Sequence, residues 1–351
     1  MPPLLEARHL RKVFRSGGQR FGPSTETIAV SDFSLSIDAD RPSFTTIAGE
    51  SGSGKTTIAR MLLGVLNPSS GEVLYQGRDV HDLQKEERRQ FRKDVQAIFQ
   101  DPFEVYNPFY KIDHILTTPV RKFGLAGSKA DAYDKIREAL RAVGLRPEET
   151  LGRYPHQLSG GQRQRITIAR ALLLKPKLII ADEPVSMVDA SLRATILSTL
   201  HALYRDFGIS FIYITHDLTT AYQVSENIVV LFHGAVAEAG HTEKVIKDPQ
   251  HPYTRELIHS IPVPEPGREW IDEAVEEKEV VDIEAIEAEE AAAGCRYVLR
   301  CPQAMAQCAA APPFYRPEAE RAVACFLHAE SPVLESGDLN EVFSAAADAQ
   351  K

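Results

Sequence analysis

Hydrophobic and polar residues alternate in two stretches near the start of the chain, residues 4–13 and 28–37, and this period of two predicts strands. The polar, glycine-rich segment between them, RSGGQRFGPSTET, has the composition of a hairpin connection. Short apolar runs predict further strands at residues 43–48, 71–75, 95–99, 178–181, 209–215, 228–232 and 235–238. Apolar residues at helical spacing predict helices at residues 57–66, 130–143 and 192–207.

Strands and helices alternate along most of the chain up to residue 261, and this order predicts an α/β fold with a mostly parallel sheet covered by helices. From about residue 101 to 174 the periodicity is helical, so a separate helical subdomain is expected there. The tail, residues 331–351, has little pattern and is predicted to be mobile.

Composition excludes some classes of protein. No stretch of 18 apolar residues exists, and the N-terminus lacks an apolar signal core, so neither a membrane span nor a secretory signal is predicted. The net charge is −9, but residues 269–290 alone contain eleven acids and one lysine, which leaves the rest of the chain at about +1. We therefore expect an exposed acidic segment and no nucleic-acid partner.

A glycine-rich string directly after the strand at residues 43–48 contains the pattern GxxxxGK[ST] in full. Glycines allow the backbone to turn tightly and to direct successive N–H groups at phosphate oxygens. Lys55 would reach the β- and γ-phosphates, and the Thr56 hydroxyl would bind Mg²⁺. The predicted phosphate loop consists of Gly49, Glu50, Ser51, Gly52, Ser53, Gly54, Lys55, Thr56 and Thr57.

A second string, LSGGQ at residues 158–162, precedes a basic helix, whose N-terminus would offer backbone donors to another phosphate. Together the two strings resemble the ATP-binding cassette (ABC) ATPases, in which LSGGQ is the signature. The resemblance implies a P-loop NTPase with a mostly parallel RecA-like sheet, an antiparallel β subdomain and a helical signature subdomain. It also implies a head-to-tail dimer, in which one subunit closes over the ATP of the other with Ser159, Gly160, Gly161, Gln162 and Asp189.

Two carboxylates, Asp182 and Glu183, end the apolar strand at residues 178–181. Taken alone such a pair marks only a strand end, but a metal and water at the sheet edge could offset its charge. The resemblance implies that Asp182 holds Mg²⁺ and that Glu183 is the general base. It implies catalytic roles for Glu183, His216, Gln100 and Lys55, Mg²⁺ ligands in Thr56, Gln100 and Asp182, and adenine stacking by Phe14.

Strings outside the general ABC motifs resemble one particular subfamily. QDPF with Asn107-Pro108, the HPYTR string at residues 251–255 and the cysteine-containing segment from Gly294 resemble the ATP-binding subunits of oligopeptide/dipeptide importers. This implies an ATPase, yielding ADP and phosphate, at the cytoplasmic face of the inner membrane. Its partners would be a second cassette, homologous or identical, two permease subunits and an extracytoplasmic solute-binding protein.

Other functions stay open at this point. Oligosaccharide and nickel importers belong to the same subfamily, so the substrate is not fixed. A non-transport ABC ATPase acting on nucleic acid or ribosomes would carry a long insertion between the two strings or a second cassette. Here only 103 residues separate Lys55 from Ser159, and there is one cassette. A P-loop kinase or regulatory ATPase would not explain LSGGQ.

All four cysteines lie between residues 295 and 325, with gaps of five, six and sixteen residues. Four thiols suffice for a 4Fe–4S cluster, and the spacing differs from the paired short gaps typical of structural zinc. The resemblance favours a structural 4Fe–4S cluster at Cys295, Cys301, Cys308 and Cys325, with zinc or unligated thiols as alternatives. The expected domains are the cassette at 1–261, an acidic linker at 262–293, a Cys-rich C-terminal module at 294–330 and the tail.

Overall fold

The computed structural model describes residues 2–16, 25–101, 105–261, 294–334 and 338–349. The predicted acidic linker at 262–293 and most of the predicted hairpin connection at 15–27 lie outside these residues. The described part is built from two β-sheets and the helices that cover them.

The smaller sheet is antiparallel and has the strand order β2-β1-β5-β6, with β3 also paired to β1. Its strands are β1 Leu5–Ser16, β2 Thr25–Val30, β3 Leu35–Ile37, β5 Ser70–Tyr75 and β6 Arg78–Asp79. The single strand predicted at 28–37 is therefore wrong. In β1, residues 5–7 pair with β3 and residues 12–16 pair with β2, and the β1–β2 pairing contains a register shift between Lys12 and Val13.

The larger sheet has the order β12-β13-β11-β10-β4-β9-β8-β7, in which β10, β4, β9, β8 and β7 run parallel and the other pairs are antiparallel. Its strands are β4 Phe44–Ala48, β7 Val95–Ile98, β8 Leu178–Asp182, β9 Ser210–Thr215, β10 Asn227–Phe232, β11 Ala235–His241, β12 Tyr315–Glu318 and β13 Arg321–Val323. All residues of β4, β8, β9 and β10 are buried, as expected for a sheet covered on both faces.

The helices are α1 Lys55–Leu62, α2 Lys85–Asp94, α3 Ile112–Phe123, α4 Lys129–Ala142, α5 Pro147–Thr150, α6 Gly160–Leu172, α7 Ala190–Phe207, α8 Leu218–Val224, α9 Thr242–Lys247, α10 Pro252–His259 and α11 Asn340–Ala349. Helices α3, α4 and α6 pack on one another around Leu116, Ile136, Leu140 and Ile166. Helices α3 to α6 lie within the residues predicted to be helical, 101–174, and the first of these four begins at Ile112.

The tail is not the patternless segment that the sequence predicts. Leu334, Leu339, Val342 and Phe343 are buried in the same core as the antiparallel sheet. Ser36 Oγ of β3 donates a hydrogen bond of 2.7 Å to Oδ2 of Asp338, which lies two residues before α11. The prediction of a mobile tail is therefore wrong for residues 338–344. Among the described residues, no helix is both long enough and apolar enough to cross a membrane.

Candidate active site and family

The loop between β4 and α1 contains two glycines that no other residue could replace without moving the backbone. Gly49 has φ 148°, and a Cβ there would stand 2.1 Å from the carbonyl oxygen of Leu231. Gly54 has φ 100°, and a Cβ there would stand 2.3 Å from the carbonyl oxygen of Ala29. Both positions need the conformational freedom and the missing side chain of glycine, because neighbouring backbone leaves no room.

Lys55 lies inside this loop. Its Nζ donates hydrogen bonds of 2.8 Å to the Gly49 carbonyl and of 2.7 Å to the Glu50 carbonyl. Burial lowers the pKa of Lys55, and the nearby carboxylates of Glu183 and Asp182 oppose that shift. The loop carbonyls therefore hold the ammonium group next to the backbone N–H groups that would bind phosphates.

Thr56 and Asp182 bring two oxygen ligands together at the end of β8. Thr56 Oγ1 donates to Asp182 Oδ1 at 3.3 Å. Burial raises the pKa of Asp182, and the hydrogen bond from Thr56 acts in the opposite direction. A hydroxyl and a partly desolvated carboxylate are the hard oxygen donors that Mg²⁺ prefers, so these residues fit the predicted ion. A bound divalent cation would also favour the ionised form of Asp182.

Glu183 and His216 meet beside this pair, with 3.1 Å between Glu183 Oε1 and His216 Nδ1. Glu183 has a positive φ of 46°, and its N–H donates to the Ile214 carbonyl of β9 at 2.9 Å. The carboxylate is largely buried, with 14% of the side chain exposed, whereas the imidazole is 55% exposed. The parallel pairing of β8 and β9 thus places a shielded carboxylate next to an accessible imidazole.

Gln100 lies two residues after the end of β7, the strand next to β8. Ile98 of β7 pairs with Ala181 of β8, so Gln100 and Glu183 each follow that pair by two residues along parallel strands. Gln100 is exposed. An exposed amide at this level of the sheet edge is suited to reach a ligand held by the phosphate loop.

The signature string begins α6. Ser159 caps the helix: its Oγ accepts from the Gln162 N–H at 3.2 Å, and Gln162 Oε1 accepts from the Ser159 N–H at 2.9 Å. Gly161 packs so tightly that a Cβ would stand 2.7 Å from Leu192 Cδ1 of α7, and the exposed Asp189 immediately precedes that helix. Helix α6 packs on α3, α4, α7 and β7, whereas α1 packs on β1, β2 and β8. The two predicted phosphate cradles therefore belong to different parts of the fold.

Comparison with known proteins agrees with this geometry. A family model described as "ABC transporter" matches residues 31–186, and one described as "Oligopeptide/dipeptide transporter, C-terminal region" matches residues 237–308. The oligopeptide transport ATP-binding protein OppF of Salmonella typhimurium is 38% identical over 279 residues, which cover 80% of this chain and 82% of OppF. The chain belongs to the oligopeptide/dipeptide family of ABC transporter ATP-binding proteins.

Two further comparisons extend over most of this ABC protein. The di/tripeptide transport ATP-binding protein DppF of Pseudomonas aeruginosa is 36% identical over 332 residues, covering 94% of this chain and 99% of DppF. The solved structure of the ATP-binding cassette MJ0796, a dimeric post-hydrolysis state bound to ADP and Pi, is 27% identical. It has a TM-score of 0.59 and covers 68% of this chain and 98% of its own. The predicted family and the predicted cassette fold are confirmed.

Phe14 lies on β1 of the ABC cassette with 42% of its surface exposed. Lys12 Nζ stands 5.3 Å from the centre of its ring. An exposed aromatic face beside a cation is compatible with adenine stacking, which stays a prediction.

Two residues that contact the phosphate loop are absent from the predicted site. The Glu50 N–H donates to Tyr253 Oη at 3.1 Å, and Arg300 forms an ion pair with Glu50. Tyr253 lies in the HPYTR string, and Arg300 immediately precedes Cys301. Both belong to segments that resemble the importer subfamily, so the sequence carried a signal for the segments but not for their contact with the loop.

The predicted metal site of the C-terminal segment is not supported. Burial raises the pKa of Cys295, Cys301 and Cys325, the last to about 11, and neighbouring thiols raise these pKa values further. Among the residues that the structure describes, no group of three or more His, Cys, Asp or Glu side chains is placed to hold a metal ion. Neither zinc nor a cluster at Cys295, Cys301, Cys308 and Cys325 therefore follows from the arrangement of these thiols.

Proposed function

We propose that this chain is the ATP-hydrolysing subunit that powers an ABC importer for oligopeptides or dipeptides, with ATP and Mg²⁺ at the site described above. The observation that carries the proposal is the meeting of the Glu183–His216 pair and the Thr56–Asp182 pair beside the phosphate loop. The names of the relatives, oligopeptide and di/tripeptide transport ATP-binding proteins, support the substrate class.

The predicted catalytic residues and Mg²⁺ ligands would have different roles in the proposed hydrolysis. The largely buried Glu183 would polarise the attacking water, and His216, within hydrogen-bond distance of it, would contact the γ-phosphate. Lys55 would exchange its carbonyl partners for phosphate oxygens, and Thr56, Gln100 and Asp182 would hold Mg²⁺. Bound Mg²⁺ would neutralise phosphate charge and orient the γ-phosphoryl group.

The decisive test replaces Glu183 by glutamine, which keeps the size of the side chain and removes the base. ATP turnover should fall by about 10²–10⁴-fold, the range attributed to general bases, while MgATP still binds. Turnover and nucleotide binding are measured on the wild type and the variant within a transport-competent complex. Near-normal turnover by the variant would refute the assignment of Glu183.

The proposed ATP-bound state is a head-to-tail dimer. Ser159, Gly160, Gly161, Gln162 and Asp189 of one cassette would close over the ATP that the Gly49–Thr57 loop of the other holds. The N-terminus of α6, capped by Ser159, offers backbone N–H groups to phosphate. Helix α6 packs on α3, α4, α7 and β7, whereas α1, which follows the phosphate loop, packs on β1, β2 and β8. The dimeric form of the similar cassette MJ0796 supports the arrangement. Hydrolysis would remove the bridging γ-phosphate and let the dimer open.

The permease subunits would dock on the helical subdomain at the cytoplasmic face of the membrane. A cleft of about 1280 Å³ lies between α2, β7 and α3, and Phe99, the residue before Gln100, is part of its lining. Its apolar floor includes Phe91, Phe99 and Ile115, and many of its rim side chains are cationic: Lys85, Arg88, Arg89, Arg92, Lys111 and Lys122. This shape and charge suit a cytoplasmic helix of a permease. A solute-binding protein would act through the permeases.

As a finer assignment we propose a structural 4Fe–4S cluster on the four cysteines. The spacing of the four cysteines and the subfamily resemblance carry this proposal; among the described residues, no group of three or more His, Cys, Asp or Glu side chains is placed to hold a metal ion. The four ligands of such a cluster bind four different irons, so their sulfurs lie farther apart than those around one zinc ion. Anaerobically purified protein should be brown, with about four iron and four sulfide per chain. Colourless protein with one zinc, or with four freely titratable thiols, would refute the cluster.

A further inference from the structure

Glu50, the second residue of the phosphate loop, is bonded through its amide, its carbonyl and its carboxylate. Its N–H donates to Tyr253 Oη of α10 at 3.1 Å, and its carbonyl accepts from Lys55 Nζ at 2.7 Å. Its two carboxylate oxygens accept from the guanidinium group of Arg300 at 3.2 and 3.3 Å. Two of these three partners come from far along the chain, separated from Glu50 by 203 and 250 residues.

Arg300 is itself held in one orientation. Its guanidinium group bridges Glu50 and Glu256 of α10, with a 2.6 Å hydrogen bond to Glu256 Oε1. The guanidinium carbon lies 5.5 Å from the ring centre of Phe232 and 5.7 Å from that of Tyr297, whose hydroxyl also bonds Glu256. The planar guanidinium group, with several donors in fixed directions, is suited to bridge two carboxylates while its face lies against aromatic rings.

We propose that Arg300 is a positioning residue of the ATP site, through which the C-terminal segment sets the affinity of the phosphate loop for MgATP. The inference rests on the proposed function, because it concerns the affinity of that same site. Arg300 touches no reacting atom. It acts on Glu50, whose backbone carbonyl holds Lys55 and whose carboxylate lies on the loop that would receive the phosphates.

We expect the ion pair between Arg300 and Glu50 to affect MgATP binding through its charges. A carboxylate on the phosphate loop repels the phosphate groups of ATP, and Arg300 neutralises it. An isolated ion pair with 39% of each side chain exposed would contribute little. Here the same arginine is bound to a second carboxylate and stacked on two rings, so it stays opposite Glu50 without a further loss of side-chain entropy.

The test is Arg300→Ala in the full-length chain. The Kd for MgATP and the KM for ATP should rise about fivefold, the effect of removing a modest charge interaction, while kcat changes little. Arg316→Ala is the matched control, because Arg316 belongs to the same segment and its side chain bonds the Ala319 carbonyl at 2.8 Å. That control should leave the Kd unchanged. Arg300→Gln, which retains hydrogen-bond donors without charge, should behave as Arg300→Ala and replaces it if the alanine variant fails to fold.

A double-variant comparison shows whether the effect passes through Glu50. In the E50Q background the carboxylate is gone, so Arg300→Ala should no longer raise the Kd. An unchanged Kd in R300A, or the same rise with and without E50Q, would overturn the inference. Failure of the wild type to bind MgATP would instead refute the proposed function, so the two failures are distinguishable.

Discussion

Single residues at the active site adopt conformations that only their surroundings can maintain. Glu183 has a positive φ of 46°, which is unfavourable for a residue with a side chain. Its N–H is bonded to the Ile214 carbonyl, and its own carbonyl accepts from the Ser186 hydroxyl at 2.9 Å. These bonds fix the backbone at the point where the chain turns out of β8, and the turn directs the carboxylate toward His216.

A second buried residue, His251, gives a prediction about pH. Its Nδ1 accepts from the Tyr253 N–H at 3.0 Å and caps α10. Burial lowers the pKa of His251 to about 4, and the charges of His328 and Arg255 add to the shift. Between about pH 6.5 and 4, His251 is therefore protonated in the unfolded chain but neutral in the folded chain. The contribution of neutral His251 to the free energy of unfolding is complete above pH 6.5 and is lost as the pH falls toward 4.

The variant His251→Asn keeps a side-chain acceptor at the cap and removes the titrating group. The free energy of unfolding, measured with urea from pH 7 down to 4.5, should fall less steeply for the variant than for the wild type. The difference in slope should approach about 1.4 kcal/mol per pH unit. Parallel curves for the two proteins would contradict the assignment.

At the scale of elements, the sequence predicted the helices and strands that the apolar pattern of a short segment determines. The helix expected at 130–143 is α4 at Lys129–Ala142, and the buried runs expected at 178–181 and 209–215 are β8 and β9. Asp182 is the last residue of β8, and Glu183 and His216 directly follow the ends of β8 and β9. Parallel pairing therefore brings them together once the strand order is right.

Other features depend on contacts between distant segments, and the sequence could not show them. Helix α11 is short and rich in alanine, with Val342 and Phe343 buried against the core, so its stability comes from packing rather than from periodicity. The division of residues 25–37 into β2 and β3 shows in their pairing with different parts of β1. The contacts of Tyr253 and Arg300 with Glu50 each join residues more than 200 positions apart.

At the scale of the whole molecule, the proposed dimer can be tested through the cap of α6. In the E183Q background ATP should produce a dimer in light scattering, and Ser159→Arg should prevent it, because arginine blocks the approach of a phosphate to the helix N-terminus. Ser128→Arg is the matched control: Ser128 caps α4 in the same way, accepting from the Asp131 N–H at 3.1 Å. The control should still dimerise.

The partner cassette in the transporter can be a homologous chain rather than a second copy. If E183Q stays monomeric with ATP, Ser159→Arg and Ser128→Arg are therefore compared in the assembled transporter with Glu183 intact. Equal ATP turnover of Ser159→Arg and Ser128→Arg in that complex would contradict the proposed role of the signature.

The pairing of β13 with β11 has a consequence for how the chain can be divided. Ala322 pairs with Ala239, so the larger sheet continues across the predicted boundary at residue 261. Glu238 and Arg321 are both buried and lie 3.6 Å apart across that pairing. A protease cut or a truncation that removed β13 would expose the edge of β11 to association with other chains. It would also leave the buried carboxylate of Glu238 without the guanidinium group of Arg321. Because strands of both segments pair in one sheet, we expect the cassette and its C-terminal segment to unfold together in one transition.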